Sequence, residues 1–166
     1  MNKKIGKLIL TMFGIGLVKY FPGTFASFVT ASIYYFFYSM KFNYLLLILI
    51  NLFLLIYSVW MINSLKSEFA EIDSREIVID EFLGQSIPIL FFYIIFYEGS
   101  VSNTFFFIIV FLSFVGFRFF DIFKPYPINY VDKNMKNGFG VILDDLIAGF
   151  FTLIVLYICI IFYGQI

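Results

Sequence analysis

Long stretches without a single charged side chain constrain this sequence more than any other feature. Five such runs cover residues 20–40, 42–65, 82–97, 99–117 and 146–166. A helix needs about 20 largely apolar residues to cross the hydrocarbon core of a bilayer. Only 13% of the residues are charged, against roughly 25% in soluble domains. The sequence therefore predicts an all-α fold, a polytopic helical membrane bundle with about four to five membrane segments.

Two regions depart from a simple spanning run. The run 82–97 is short and contains Pro88, so we expect a tilted or a re-entrant helix there. Residues 5–18 predict a short N-terminal helix lying at the membrane interface. Lys19 and several glycines break this stretch, so we expect no cleavable signal peptide. The length predicts one domain over residues 1–166.

The charged residues collect on one side of the predicted membrane. If the five runs alternate in direction, Lys41 is the one base and Glu98 the one acid on the other side. The positive-inside rule makes the crowded side cytoplasmic. It explains the bases there but not the equally numerous acids, so we expect an active face on that side. One loop of this side carries Lys66, Glu68, Glu71 and Asp73.

The absence of His and the single Cys exclude several kinds of site. Without His there is no imidazole base, no phosphohistidine and no His metal ligand. Cys159 lies in an apolar run, where a thiol stays protonated, so thiolate zinc sites and cysteine phosphatase chemistry are also excluded. Catalysis is left to carboxylates, hydroxyls, Lys, Arg or backbone groups, together with a hard metal ion.

Two pairs of adjacent acids are the strongest candidates for chemistry. Asp80 and Glu81 stand where a polar loop enters the third run, and Asp144 and Asp145 stand where another loop enters the last run. Acids at a helix start can simply cap it or complement its dipole. Adjacent carboxylates, however, repel each other unless a cation lies between them. Clusters with oxygen ligands only favour Mg²⁺, Mn²⁺ or Ca²⁺ over zinc.

A glycine follows each acid pair at the spacing of one helical turn. Gly84 is four residues after Asp80, and Gly149 is four residues after Asp145, so each glycine shares a helix face with an acid. Small residues let membrane helices approach closely. We therefore predict that the two helices cross near their acidic ends and merge both pairs into one site. Ordinary small-residue packing without a site is the alternative.

Arg118, Asp121 and Lys124 are spaced by three on the helix that leaves the fourth run. An intrahelical ion pair at the interface is the simple interpretation. Beside two acid pairs, Asp121 could instead add a metal ligand, while Arg118 and Lys124 bind phosphate oxygens.

Two glycine-containing segments add candidates for phosphate binding. Pro22-Gly23-Thr24 predicts a helix start with Thr24 as its N-cap, where free N–H groups can bind an anion. Residues 137–140, with Gly138 and Gly140, predict a tight turn that permits close approach of a ligand. A plain helix start and a plain loop are the alternatives.

The motifs occur in a characteristic order. They are Gly14-Ile15-Gly16, Pro22-Gly23-Thr24, Asp80-Glu81-x-x-Gly84, the block Arg118 to Ile128, Asp132, Gly138-x-Gly140 and Asp144-Asp145-x-x-Ala148-Gly149. Over about residues 12–155 this order and spacing resemble the phosphatidylglycerophosphatase A family of bacterial membrane enzymes. The sequence departs from the family pattern at Lys19 for a frequent Pro, Ala26 and Asn137 for frequent glycines, and Asn129 for a common basic residue.

The resemblance implies Mg²⁺-dependent hydrolysis of phosphatidylglycerophosphate to phosphatidylglycerol and phosphate, as a step of phosphatidylglycerol biosynthesis. The enzyme would be embedded in the lipid bilayer of the bacterial inner membrane, with its site on the cytoplasmic face and no nucleic-acid partner. The implied catalytic acids are Asp80, Glu81, Asp121, Asp144 and Asp145; of these, Asp80, Glu81, Asp144 and Asp145 would hold the metal. The implied phosphate contacts are Thr24, Arg118 and Lys124, supported by Gly23, Asp132, Gly138 and Gly140.

Several alternatives remain open at this point. Either Asp145 or Glu81 could accept a proton from the attacking water, and a covalent aspartyl-phosphate is the other route, although no Asp-x-Asp-x-Thr motif is present. A membrane phosphotransferase that uses a nucleotide-activated lipid also employs interfacial acids, but its Asp-Gly-x-x-Ala-Arg run is absent. A cation transporter is a third possibility, although its acids would be expected across the midplane.

Overall fold

The computed structural model describes residues 3–65, 74–99 and 101–162. Within these ranges the chain forms helices and no strand, so the predicted all-α fold is confirmed. The charged residues Lys66, Glu68, Glu71 and Asp73 lie outside the described ranges. The helices are α1 (Lys3–Leu10), α2 (Pro22–Ser39), α3 (Tyr44–Ser64), α4 (Ile79–Phe96), α5 (Asn103–Phe123), α6 (Ile128–Asn134) and α7 (Gly138–Phe162), with a 3₁₀ turn at Ile15–Leu17.

Four of these helices, α3, α4, α5 and α7, are long and apolar enough to cross a membrane. The less apolar α2 runs beside α4 along its whole length. Its first turn places Gly23 against the carboxylate of Glu81, and near its end the Tyr38 hydroxyl donates to the carbonyl of Phe96 over 3.2 Å. Because α2 reaches from one end of α4 to the other, it passes through the same depth of the bundle. The prediction of a bundle with four to five membrane segments agrees with this arrangement.

The long helices begin and end where local chemistry allows. The Asn43 side chain accepts the N–H of Leu45 over 2.8 Å at the start of α3, and the Ser102 hydroxyl caps α5 in the same way. At the end of α5, Lys124 adopts a left-handed conformation directly before Pro125. Proline cannot continue a helix, so α5 ends as the sequence predicts.

The long helices alternate in direction, and most of the described charged residues collect at one end of the bundle. The N–H of Gly138, at the start of α7, donates to Asn63 near the end of α3 over 2.9 Å. The starts of α2, α4 and α7 therefore meet the ends of α3 and α5, and we call this the charged end. Among the described charged residues, only Lys41 and Glu98 belong to loops at the opposite end.

The helices α4 and α7 cross at two glycines, as predicted. A Cβ atom on Gly84 would lie 2.5 Å from the carbonyl oxygen of Asp145, and one on Gly149 would collide with the carbonyl of Gly84. Any larger residue at either position would push the two backbones apart. The crossing is thus possible only because both residues are glycine, and it lies one turn below both acid pairs.

Helix α4 is the central element of the bundle. Of its most apolar stretch, 61% is buried inside the protein, against 33% or less for the other three apolar helices. It is continuous through Pro88, so residues 82–97 do not form a re-entrant loop. Because proline lacks an N–H, the carbonyl of Gly84 loses its usual partner in the helix. That carbonyl instead faces the backbone of Gly149.

A buried network of polar side chains joins three helices below the charged end. Asn51 on α3 donates to the hydroxyl of Tyr34 on α2 over 2.5 Å and accepts from Ser86 on α4 over 2.7 Å. Polar groups at membrane depth must be satisfied within the protein. The network therefore fixes the register of α2, α3 and α4 relative to one another.

Three sequence expectations about helix boundaries are wrong. The N-terminal helix predicted over 5–18 ends at Leu10 and is followed by the 3₁₀ turn. Thr24 is not an N-cap, because α2 begins at Pro22, and proline suits the first helical position. The segment with Gly138 and Gly140 is not a loop, since it forms the first turn of α7.

Helix α7 therefore begins well before its acid pair. Two asparagines satisfy its first N–H groups, Asn63 at Gly138 and Asn137 at Gly140, where the distance is 2.8 Å. Asp144 and Asp145 consequently lie inside α7 and not at its N-terminus. By contrast, Asp80 and Glu81 lie in the first turn of α4, as predicted.

Candidate active site

Three carboxylates converge at the charged end of the bundle. One oxygen from each of Asp80, Glu81 and Asp145 lies within 4.8 Å of the others. Asp80 and Asp145 are buried, at 7% and 5% exposure. The glycine crossing of α4 and α7 produces this proximity, because it holds the two acidic helix segments against each other.

Glu81 extends the cluster towards α2 and α5. A Cβ atom on Gly23 would collide with the carboxylate of Glu81 and would lie 3.3 Å from Nη1 of Arg118. The absence of a side chain at Gly23 thus lets the start of α2 close over both groups. Oε2 of Glu81 is buried and has no hydrogen-bond partner among the described residues.

Arg118 and Asp121 form an ion pair of 2.6 Å within the last turns of α5. This is the simple intrahelical pairing that the spacing of three allows. The pair is nevertheless part of the site, because Arg118 also lies beside Gly23 and Glu81. Nε of Arg118 is buried without a hydrogen-bond partner in the described part of the chain, so the guanidinium retains donor capacity.

Lys124 forms the second positive position of the site. Its ammonium group contacts Asp144 at 2.7 Å and Asp132 at 3.0 Å. Burial by itself would lower the pKa of Lys124, but the hydrogen bonds and negative charges of Asp144 and Asp132 outweigh this effect, so the pKa lies above its ordinary value. Lys124 is therefore a fixed positive charge at neutral pH.

The pair Asp144-Asp145 is divided between two partners. Successive side chains on a helix point about 100° apart, so these two neighbours face different elements. Asp145 joins Asp80 and Glu81, whereas Asp144 faces Lys124. Of the four acids expected to hold a metal, the structure thus brings three within reach of a single ion and pairs the fourth with a lysine.

The remaining candidate residues, Gly138, Gly140 and Thr24, lie against neighbouring parts of the bundle and not in the carboxylate cluster. A Cβ atom on Gly138 would lie 2.5 Å from the carbonyl of Val59, and one on Gly140 would collide with the carbonyl of Met135. Both glycines therefore let the start of α7 dock onto its neighbours. Thr24 is half-buried beside Gly23 and faces a groove between α2 and α5.

One residue near the site was not anticipated from the sequence. Gln85 is fully buried, and neither its amide nitrogen nor its amide oxygen has a hydrogen-bond partner among the described residues. It stands four residues after Glu81, which places it one turn deeper on the same face of α4. In the sequence, the four-residue spacing between Glu81 and Gln85 could have indicated that Gln85 lies near the site.

The three clustered carboxylates fit a hard divalent cation. Three acids at this distance, two of them buried, repel one another unless positive charge lies between them, and Oε2 of Glu81 has no protein partner in the described chain. A donor set made of carboxylate oxygens suits Mg²⁺ or a similar ion and does not suit zinc.

A helical membrane bundle with buried carboxylates at one end, flanked by Arg118 and Lys124, defines a membrane protein suited to a phosphorylated substrate. Comparison with known proteins agrees, since the family model of phosphatidylglycerophosphatase A matches residues 8–160. The chain belongs to the phosphatidylglycerophosphatase A family and is a phosphatase enzyme.

Individual relatives support this membership. The chain is 31% identical to phosphatidylglycerophosphatase A of Haemophilus influenzae, over 90% of this chain and 85% of the relative. It is 27% identical to phosphatidylglycerophosphatase A of Escherichia coli, over 90% and 80% respectively. A protein of Bacteroides thetaiotaomicron, provisionally named a phosphatidylinositol-3-phosphatase, is 32% identical over 90% and 89%. No solved structure matches the chain significantly.

Proposed function

We propose that this protein hydrolyses the terminal phosphomonoester of phosphatidylglycerophosphate and releases phosphatidylglycerol and inorganic phosphate, as a step of phosphatidylglycerol biosynthesis. The observation that carries the proposal is the convergence of Asp80, Glu81 and Asp145 beside Arg118 at one end of the membrane helices. A lipid phosphomonoester lies at that level of a bilayer while its chains stay in the core. The names of two relatives support this substrate.

Asp80, Glu81 and Asp145 would hold Mg²⁺ in this proposal. The bound ion supplies positive charge against the phosphate oxygens and against the charge that develops during hydrolysis. The sequence expectation also placed Asp144 among the metal ligands. We assign Asp144 instead to Lys124, because their ion pair is 2.7 Å long.

Two cations and one helix start bind the phosphate. Arg118 has donor capacity left after its pairing with Asp121, and Arg–phosphate hydrogen bonds are among the strongest in proteins. Lys124, held by Asp144 and Asp132, adds a second fixed charge. The backbone N–H groups of Gly23 and Thr24 lie in the first turn of α2, where they lack helical partners and favour an anion.

Hydrolysis requires one proton acceptor and one leaving alcohol. A water molecule attacks the phosphorus, and the bond between phosphorus and the glycerol oxygen breaks. Glu81 or Asp145 accepts the proton of the water, and the glycerol oxygen leaves as an alcohol after taking up a proton. Asp121 acts on this reaction by holding Arg118 in place.

The site lies on the cytoplasmic face of the inner membrane in this proposal. Apart from Lys41 and Glu98, the described charged residues gather at the charged end, and the positive-inside rule assigns such an end to the cytoplasm. Labelling a cysteine introduced at Lys41 in intact cells tests the orientation. A label that reaches this position only after cell lysis would contradict it.

The central experiment measures phosphate release from phosphatidylglycerophosphate by the purified protein with Mg²⁺. We expect Asp145→Asn to lower kcat/KM on the order of 100-fold or more, because it removes a charge from the reacting centre. Glu98→Gln, at the opposite end, serves as the matched control with wild-type activity. A chelator should abolish release, and added Mg²⁺ should restore it.

Two outcomes would contradict the proposal in different ways. Full activity in Asp145→Asn or in the presence of chelator would show that the carboxylate cluster is not the site. Hydrolysis of phosphatidylinositol 3-phosphate in preference to phosphatidylglycerophosphate would retain the site but change the substrate, in line with the name of the third relative.

A further inference from the structure

A groove open to the bilayer runs between α2 and α5. It has two adjoining parts, with volumes of about 280 and 320 Å³, which share Phe28 and Phe114 as lining residues. The upper part reaches Thr24, and the lower part reaches Tyr35 and Phe107. The two parts follow each other along the outside of the bundle and are separated by Phe28 and Phe114.

The upper end of this groove lies beside the candidate active site. Phe114 stands four residues before Arg118, so the two side chains share a face of α5. Thr24 follows Gly23, whose backbone touches the carboxylate of Glu81 and lies beside Arg118. A molecule lying in the groove therefore has one end beside the start of α2, where Gly23 contacts Glu81 and Arg118.

The lower part of the groove penetrates the apolar zone of the bundle. From Thr24 to Tyr35 it follows eleven residues of α2, about 16 Å at 1.5 Å per residue, which is roughly half of a 30 Å hydrocarbon core. Its floor is formed by Ala31 and Val110, both buried. Its polar lining residue Ser32 donates to the carbonyl of Phe28 over 2.9 Å, so this hydroxyl has no unused donor.

Two aromatic pairs divide the groove along its length. The rings of Phe28 and Phe114 meet edge to face at 6.3 Å where the two parts join. The rings of Tyr35 and Phe107 meet edge to face at 5.4 Å at the lower end. An occupant of both parts must therefore be thin and flexible enough to pass the narrowing at Phe28 and Phe114. This excludes a packed helix of about 10 Å diameter.

We propose that this groove holds one acyl chain of the lipid substrate while its phosphorylated headgroup lies at Glu81 and Arg118. The inference rests on the proposed function, because it takes the substrate to be a phosphorylated lipid. The substrate then enters sideways from the bilayer between α2 and α5, and its chain remains in contact with apolar protein during hydrolysis. Acyl chains long enough to extend past Phe28 and Phe114 gain apolar contacts in the lower part of the groove.

The experiment compares long-chain and short-chain phosphatidylglycerophosphate in detergent micelles. Ser32→Trp fills the lower part of the groove from an exposed position. We expect the ratio of kcat/KM for the long-chain over the short-chain substrate to fall about tenfold, which corresponds to roughly two buried methylene groups. Ile56→Trp, on the lipid-facing side of α3 at 71% exposure, is the control and should leave the ratio as in the wild type.

The outcomes separate this inference from the proposed function. No phosphate release from either substrate by the wild type would contradict the proposed function itself. Phosphate release with an unchanged ratio in Ser32→Trp would contradict the binding of an acyl chain in the groove and would leave the proposed function intact. If Ser32→Trp folds poorly, the smaller Ser32→Leu should lower the ratio by a lesser factor, and an equal loss for both chain lengths would contradict the inference. As an independent readout, a substrate that carries a photoreactive group at the end of its acyl chain should label α2 or α5. Labelling confined to α3 or α7 would also contradict the binding of the chain in this groove.

Discussion

Replacement of Gly84 by alanine tests whether the crossing of α4 and α7 sets the geometry of the carboxylate cluster. The added Cβ atom would lie 2.5 Å from the carbonyl oxygen of Asp145 and 2.7 Å from the ring of Phe117. Ordinary contacts begin at 3.4 Å. Since the closest obstacle is backbone, the helices must separate by about 0.9 Å, the difference between 3.4 and 2.5 Å.

The expected effects on stability and on activity differ in size. Alanine is favoured over glycine inside a helix by about 1 kcal/mol, while overpacking costs typically 1–3 kcal/mol. The net loss of stability for Gly84→Ala is therefore about 0–2 kcal/mol. A displacement of about 1 Å at the reacting groups can cost on the order of 100-fold in rate. Gly84→Ala should thus fold and yet lose most of its activity.

The assay combines thermal unfolding in detergent with phosphate release from phosphatidylglycerophosphate. Gly99→Ala is the matched control, because a Cβ atom there meets its nearest neighbour at an ordinary 3.6 Å. Gly116→Ala gives an intermediate case, since the obstacle at 2.9 Å is a side-chain methyl of Thr152. Wild-type activity in Gly84→Ala would refute the idea that this crossing positions the acids, and so would an activity loss fully matched by unfolding.

Two further predictions concern interactions near the site. Lys124→Met should lower the free energy of unfolding by about 2–3 kcal/mol, because it leaves the buried Asp144 without its cation, whereas Lys133→Met on the exposed side of α6 should change it by less than about 0.5 kcal/mol. Since the pKa of Lys124 is raised on folding, this difference should be constant from neutral pH to about pH 10 and shrink at higher pH, as unfolding measurements across this range can check. Asn51→Leu should cost about 1–3 kcal/mol, because it removes the amide that donates to the buried Tyr34 hydroxyl and accepts from Ser86, with Mg²⁺-induced stabilisation retained. A lost Mg²⁺ response in Asn51→Leu would mean that the network also shapes the acid cluster.

The part of the fold that follows from periodicity and composition is predictable from the sequence. Uncharged runs reveal the membrane helices, and the spacing of Gly84 and Gly149 behind their acids predicts the crossing that the structure contains. These features depend on the helical repeat and on side-chain size alone. They require no knowledge of distant contacts.

The details that were mispredicted depend on long-range partners. The start of α7 lies at Gly138 because Asn63, on another helix, accepts its N–H. No local pattern in residues 137–140 reveals that partner, so the segment resembles a loop. Thr24 was mistaken for an N-cap because threonine has that preference in general, whereas Pro22, two residues earlier, decides where α2 begins.

In the candidate site, too, local sequence predicts some features, while others depend on contacts between distant residues. Adjacent carboxylates in the sequence predict a cluster of acids, but not which member of a pair joins it. The direction of Asp144 towards Lys124 follows from the rotation of α7 about its axis, which is set by the contacts of Gly149 and Gly138. The position of α6, which brings Asp132 to Lys124, likewise follows from packing onto α7.

The loops at the opposite end have a consequence for how the chain enters the membrane. The connection between α2 and α3 carries one charge, Lys41, and the connection between α4 and α5 carries one charge, Glu98. Moving a lone charge to the centre of a translocating helix costs about 2.5–3.5 kcal/mol, and the apolar stretches of the two helices more than offset it. Each helical hairpin can therefore be translocated as a unit at low cost, and in the proposed orientation the residues of the charged end stay on the side on which they are synthesised.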